Sequence, residues 1–186
     1  MAGTALYFNP ITVPFNLKNM IETERLMLSP LTYEQLIKYC NTDNSLEKEM
    51  HLNETSRIIP PELKEALEQT ILPDVADKNK NYLYSTLWII ILKLENKMAG
   101  DLCFKGEPNA EGEVEIGYGT YEAFRRRGIM TEAVEGMIRW VGKQPNVKAI
   151  IASTEMDNIA SSLVLEKNHF IKTGETGTLF NWRFEL

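Results

Sequence analysis

The residue pattern predicts an α+β domain, a mixed sheet with helices packed on it, and three observations lead there. Strand-like and helix-like stretches follow one another in the order strand, helices, three strands, helix, strand, helix, two strands, which specifies a mixed sheet covered by helices. The chain has 186 residues, enough for one domain that buries roughly 70% of the surface its unfolded chain exposes. Two full domains would be cramped, so residues 1–186 are read as one domain with an N-terminal extension over 1–20. No apolar run approaches the ~20 residues of a membrane helix.

Each element has a local reason. In Ile21–Leu31 the alternation around Leu26 and Leu28 suits a first strand ended by Pro30. Thr32 can cap a following helix that has Glu34 in its first turn and Leu36, Ile37 and Cys40 near helical spacing. A helix starting at Pro60 and Pro61 carries Leu63, Ala66, Leu67 and Ile71, and Asp74–Asn81 reads as a polar loop. From Ser85, two strand-like runs joined by a turn at Glu95–Lys97 form a hairpin, with Gly100 inside its second strand marking a bulge or a close backbone approach. Glu113–Thr120 is a strand with Val114, Ile116 and Tyr118 on one face and Glu113, Glu115 and Gly117 on the other. A helix over Thr131–Gly142 bears the stripe Ala133, Val134, Met137, Ile138 and Val141. Lys148–Ser153 is a short buried strand, Ile159–Lys167 a helix, and Phe170–Lys172 with Leu179–Phe184 a closing hairpin.

Composition narrows the function. An apolar fraction of 44% and a charged fraction of 25% are ordinary for a globular protein. The net charge of −6 argues against nucleic acid as the main partner, because phosphate binding draws its affinity from basic surface. The start of the chain lacks the pattern of a secretory signal, so a cytoplasmic location is the default, with no membrane partner. Cys40 and Cys103 have no metal-ligand spacing and are read as buried thiols, and no metal site is visible.

The stretch that carries chemistry is Tyr118–Ala133, YGTYEAFRRRGIMTEA. There a strand ends, a basic loop turns at Gly128 and a helix starts. Unpaired amides and the positive end of a helix dipole make such a corner a site for phosphate oxygens. Neighbouring arginines add forked donors, and a glycine lets the backbone approach a ligand. The plain alternative is a solvated helix cap. Neither a P-loop nor a dinucleotide fingerprint is present.

Arg125-Arg126-Arg127-Gly128-Ile129-Met130 resembles the pyrophosphate motif Q/R-x-x-G-x-G/A of the GNAT acetyltransferase superfamily, and Thr131-Glu132-Ala133 the T-E-A frequent in its ribosomal-protein N-acetyltransferase branch. Met130 replaces the final small residue and leaves less room in the loop. Asp157–Phe170 resembles the N-x-x-S…L-E-K-x-G-F segment, with His169 where glycine is usual and the following turn strained or rebuilt. Glu115-Ile116-Gly117-Tyr118 resembles the E-I-G-Y strand, and Thr23–Leu28 the T-x-R-L-x-L opening strand. Together the four matches run in family order from near Glu22 to the C-terminus.

The resemblance implies a twisted mixed sheet of about six to seven strands, helices on both faces, and two central parallel strands, Glu113–Thr120 and Lys148–Ser153, that splay apart. It implies acetyl-CoA as co-substrate. Tyr118, Gly119 and Thr120 would offer backbone groups to the pantetheine arm, with an amide near Tyr118 stabilising the thioester oxyanion. Arg125, Arg126, Arg127, Gly128, Ile129 and Met130 would wrap the pyrophosphate. Asn158 matches a position that touches the cofactor arm; the alternative is a helix cap.

An amine must be neutral to attack. Glu115, on the strand beside the expected thioester, is the candidate base, against the plain reading of a solvated strand carboxylate. Ser161 matches a position placed to protonate the leaving thiolate, since Leu165 stands where many relatives carry a tyrosine; the alternative is a bond to its own helix. His51 and His169 are read as structural, and Trp88, Trp140 and Trp182 as core or rim aromatics.

The activity implied is N-acetylation of a primary amine, either a protein N-terminus or a small molecule. An α-amine, with a pKa of about 7.7–8.0 against about 10.4 for lysine, would demand less of the base. The competing reading is a non-catalytic acyl-CoA sensor or interaction module, favoured by Met130 and Leu165. An exposed sheet edge would also allow a homodimer.

Overall fold

The computed structural model describes residues 19–186, so the expected N-terminal extension lies outside them but for its last two residues. The described residues fold as an eight-stranded mixed sheet covered by helices on both faces. It opens with a tight antiparallel hairpin, β1 (Ile21–Glu22) and β2 (Leu26–Pro30), where the sequence suggested one strand. The break falls at Thr23–Arg25, because the Thr23 amide turns back to donate to the Leu26 carbonyl at 3.0 Å. Helix α1 (Tyr33–Asn41) starts on Thr32 with a full capping box closed by Gln35.

A short α2 (Ser45–Glu49), which carries no sequence signal, precedes α3 (Pro61–Ala66). The chain then passes through a π turn at Leu67–Ile71 into α4 (Leu72–Ala76), so Asp74–Ala76 is helical rather than loop. Pro73 does not stop it, because it stands in the first turn of α4, where the N–H that proline lacks is not needed for a helical bond.

The central strands are β3 (Leu87–Leu92), β4 (Lys97–Phe104) and β5 (Glu113–Thr120). Every residue of β3 is buried, as a strand covered on both faces must be. The turn between β3 and β4 is Lys93–Asn96 rather than Glu95–Lys97, since Asn96 takes the left-handed conformation (φ 50°) and Lys97 already pairs with Leu92. Gly100 satisfies both readings of its position. The register shifts beside it, and a Cβ there would stand 2.4 Å from the Gly119 carbonyl oxygen.

Helix α5 (Ile129–Val141) begins two residues before the expected start. It is followed by β6 (Ala149–Glu155), α6 (Ile159–Lys167) and the hairpin β7 (Ile171–Thr176) and β8 (Leu179–Glu185), whose strands outrun the expected ranges. The turn after α6 keeps the geometry glycine would give. His169 sits at φ 63°, and the Phe170 amide reaches back to the Leu165 carbonyl at 3.0 Å.

Sheet order is β1-β2-β3-β4-β5-β6-β8-β7. One face, with Trp88, Leu102, Phe104 and Tyr118, packs on α5 and α6; Trp140 of α5 lies 5.2 Å from Trp88 and 6.0 Å from Phe104, ring centre to ring centre. The opposite face, with Ile89, Asp101 and Gly119, meets α1 through Tyr39. No helix of the described residues is long and apolar enough to cross a membrane.

Candidate active site

The sheet opens at its centre. Parallel pairing of β5 with β6 covers only Glu113–Glu115 against Ala149–Ile151. Beyond that point β5 stays with β4 as far as Thr120, and β6 stays with β8 as far as Glu155. The direction of the free backbone groups follows from alternation. Lys105 donates its amide to the Glu115 carbonyl and Tyr121 its amide to the Ala99 carbonyl, so odd-numbered positions of β5 face β4. Tyr118 and Thr120 therefore turn their N–H and C=O groups into the gap, where no strand meets them.

Across this wedge stands the N-terminus of α6. Asn158 caps it, its side-chain oxygen accepting from the Ser161 amide at 3.1 Å. The Ser161 hydroxyl does not turn back on its own helix. It donates to the Tyr118 hydroxyl at 3.1 Å, and that hydroxyl donates to the Ser161 carbonyl at 3.2 Å. Burial pushes the Tyr118 phenol up to about 12, against the hydrogen bond from Ser161, so it stays a proton carrier at neutral pH.

The loop after β5 has the shape of an anion cradle. Arg126 (φ 61°) and Gly128 (φ 71°) are left-handed, and the first helical bond of α5 is from the Glu132 amide to the Gly128 carbonyl. Among the described residues, the amides of Arg126 through Thr131 find no partner, a run of donors at the positive end of a helix. A left-handed arginine is strained, a cost met at sites where the conformation is used. The side chains divide the work. Ile129 and Met130 point into the core, so Met130 does not crowd the loop as its size suggested. Arg127 pairs with Glu95 and lies over the Phe124 ring, the Arg125 Nε is 3.5 Å from the Thr120 carbonyl, and Arg126 is exposed. Beside the loop lies an open cavity of about 450 Å³ reached by Thr23, Arg25, Gly128, Thr131 and Lys167.

Residues 25–171 match the acetyltransferase (GNAT) domain family. The chain belongs to the GNAT acetyltransferase family. It is similar to the uncharacterized N-acetyltransferase YjdG of Bacillus subtilis, with 28% identity over 163 residues, 88% of this chain and 96% of that protein. Among solved structures, the RimL ribosomal L7/L12 alpha-N-protein acetyltransferase in complex with coenzyme A shares its fold, with a TM-score of 0.63 and 18% identity over 90% of this chain and 98% of the other. So does the ribosomal-protein-S5-alanine acetyltransferase of Vibrio fischeri, at 0.62 and 19% over 89% and 96%.

Within this GNAT fold the tertiary structure joins two motifs that the sequence shows only as separate resemblances. Glu132 accepts from the Thr23 hydroxyl at 2.6 Å, the Arg25 amide at 2.8 Å and the Arg25 Nε at 2.6 Å. Arg25 also donates to the Arg127 carbonyl at 3.1 Å, inside the cradle. The β1–β2 turn thus grips the first turn of α5 and fixes the loop that leads into it. These bonds hold the Glu132 carboxyl below its ordinary range despite the opposing effect of burial.

Glu115 lies at the foot of the GNAT wedge, its carboxylate paired with Lys105 at 2.5 Å. Leu165 is fully buried, so a tyrosine could not be placed there without repacking the core. A phenol does reach the wedge beside the Ser161 hydroxyl, that of Tyr118, which the sequence offered only for its backbone. Three further groups had no sequence signal as site residues: Asp101, whose carboxyl burial pushes up to about 6, and the Tyr39 and Tyr121 hydroxyls beside it. His51 and His169 occupy left-handed turn positions, and the Asn96 side chain donates to the His51 carbonyl.

Proposed function

We infer that this GNAT chain transfers an acetyl group from acetyl-CoA to a primary amine by direct attack on the thioester. The observation that carries it is the run of partnerless amides from Arg126 to Thr131 placed at the end of a strand whose Tyr118 and Thr120 backbone groups meet no strand across the gap, the Thr120 carbonyl being reached only by the Arg125 side chain. A pyrophosphate accepts from the first set, with Arg125 and Arg126 within reach to add charge. A pantetheine arm, itself a chain of amides, pairs with Tyr118–Thr120 as a missing strand would. Its thioester carbonyl then meets the Tyr118 amide, which stabilises the oxyanion.

Collapse of the tetrahedral intermediate needs a proton on the leaving sulfur. The Ser161 hydroxyl, coupled to that of Tyr118, supplies it from the α6 side of the gap. Asn158 holds the turn that presents Ser161, and its amide nitrogen is available to the cofactor arm. On the acceptor side Glu115 is the proton acceptor the sequence points to, although Lys105 engages its carboxylate.

Met130 and Leu165, the features that favoured a non-catalytic sensor, both lie in the core and give that reading no support. The preferred acceptor is an α-amine, which needs the weaker base; the names of the ribosomal N-terminal acetyltransferases of similar fold agree with this choice. The test is release of free CoA from acetyl-CoA across α-amino peptides, polyamines, aminoglycosides and free amino acids, with the peptides expected to score. Gly128→Glu should abolish CoA binding by calorimetry, and unchanged affinity would remove the loop from the assignment.

A further inference from the structure

One buried carboxylate has no part in the chemistry described so far. Asp101 stands on β4 directly opposite Gly119 of β5, on the sheet face turned away from α5 and α6. It is 6% exposed, and its Oδ2 accepts from the Tyr39 hydroxyl at 2.8 Å. Its Oδ1 lies 3.9 Å from where a Gly119 Cβ would stand, and the Tyr121 hydroxyl is the other donor beside the carboxyl. Gly119 is exposed and Gly117 half-buried. These two glycines leave a bare strip along β5 where a longer side chain would roof the carboxylate.

No cation among the described residues pairs with Asp101. The nearest, Arg57, is spent on a buried ion pair with Glu47 and lies 4.8 Å over the Tyr39 ring. Keeping an unpaired carboxylate out of water is costly, so a fold that does so is poised for a cation that arrives from outside. Position says which one. Gly119 adjoins Tyr118, whose amide faces the gap, whereas Glu115 is three residues back, roughly 10 Å along the strand.

Building on the acetyl-transfer reading, we propose that Asp101 receives the acceptor's ammonium beside Gly119 and takes its proton, a role expected of Glu115. The ammonium loses one proton to Asp101, the freed lone pair forms the N–C bond, and the C–S bond breaks. The second nitrogen proton ends on the CoA sulfur, and Asp101 returns its proton to solvent. Burial raises the Asp101 carboxyl to about 6, with the Tyr39 and Tyr121 hydroxyls and the Arg57 charge opposing. Around it, Tyr39 on α1, Tyr121 after β5 and Cys103 on β4 are all raised and stay neutral. A limb near pH 6 would therefore belong to Asp101.

The test is the pH dependence of kcat/KM from pH 5 to 9 with an α-amino peptide, alongside CoA affinity by calorimetry. Wild type should rise through about pH 6. Asp101→Asn should lose that limb and about 10²–10³-fold in kcat/KM, with CoA affinity kept. Glu115→Gln, whatever its rate, should keep the limb. Tyr39→Phe removes a donor to the charged form and should move the limb to higher pH. An Asp101→Asn enzyme within threefold of wild type with the limb intact, or a limb lost only in Glu115→Gln, overturns the assignment and leaves acetyl transfer standing. A wild-type protein that binds CoA and acetylates no amine overturns acetyl transfer itself, and the role of Asp101 with it.

Discussion

Replacing Asp101 by asparagine should change the stability of the fold by an amount that depends on pH, more favourably at high pH than at low. The carboxyl is held at about 6 by burial, against about 3.9 in an unfolded chain. The folded state therefore binds this proton more tightly than the unfolded state does. Below about pH 3.9 both states hold it and ionisation costs the fold nothing; the cost grows between the two values and is complete above about pH 6. Two pH units at about 1.4 kcal/mol each give a full cost of about 3 kcal/mol. Asparagine removes the titration and keeps an acceptor for the Tyr39 hydroxyl, but it adds an N–H pair whose burial costs about 1–3 kcal/mol. That second term does not depend on pH and cancels between conditions. The stability change on substitution should thus be about 2 kcal/mol more favourable at pH 8 than at pH 4, or about 1 M in urea midpoint. Urea titrations of both proteins at the two pH values measure it. Equal midpoint shifts at pH 4 and pH 8 would show that Asp101 titrates normally in the folded state.

Three other substitutions probe the site from different sides. Glu132→Ala removes the acceptor for Thr23 and Arg25 and should cost about 1–3 kcal/mol of stability and about tenfold in CoA affinity, read by thermal melting and calorimetry. Tyr118→Phe keeps the ring and deletes the hydroxyl bridging to Ser161, so kcat should fall about 10–100-fold with the KM for acetyl-CoA little changed, as steady-state kinetics would show. Gly100→Ala places a methyl group against the Gly119 carbonyl and should push β4 from β5, costing about 1–3 kcal/mol in denaturant unfolding.

Much of this fold is written locally. Thr32 with Gln35 makes a capping box, and alternating residues fix the face that Val114 and Ile116 bury. The ends of elements were less legible, because they depend on partners. Asn96 rather than Lys97 closes a turn, and β7 runs to Thr176 only because β8 pairs with it. A short helix such as α2 has too few residues to show a period. In the candidate site, the loop from Arg125 to Met130 could be named from its motif, whereas the destination of the Tyr118 hydroxyl could not.

Taken alone, the sequence determined what neighbours along the chain decide: the order of elements, the glycine at the bend before α5, and the family motifs with their spacing. Tertiary structure decided what distant residues do to each other. It placed Glu132 in the grip of a turn 109 positions away, set the Tyr39 hydroxyl on a carboxylate 62 positions away, and left Asp101 uncovered opposite a glycine. The physical reason is range. Periodicity, capping and turn preference act over a few residues, whereas desolvation and hydrogen bonding act on whichever groups the packed chain brings together.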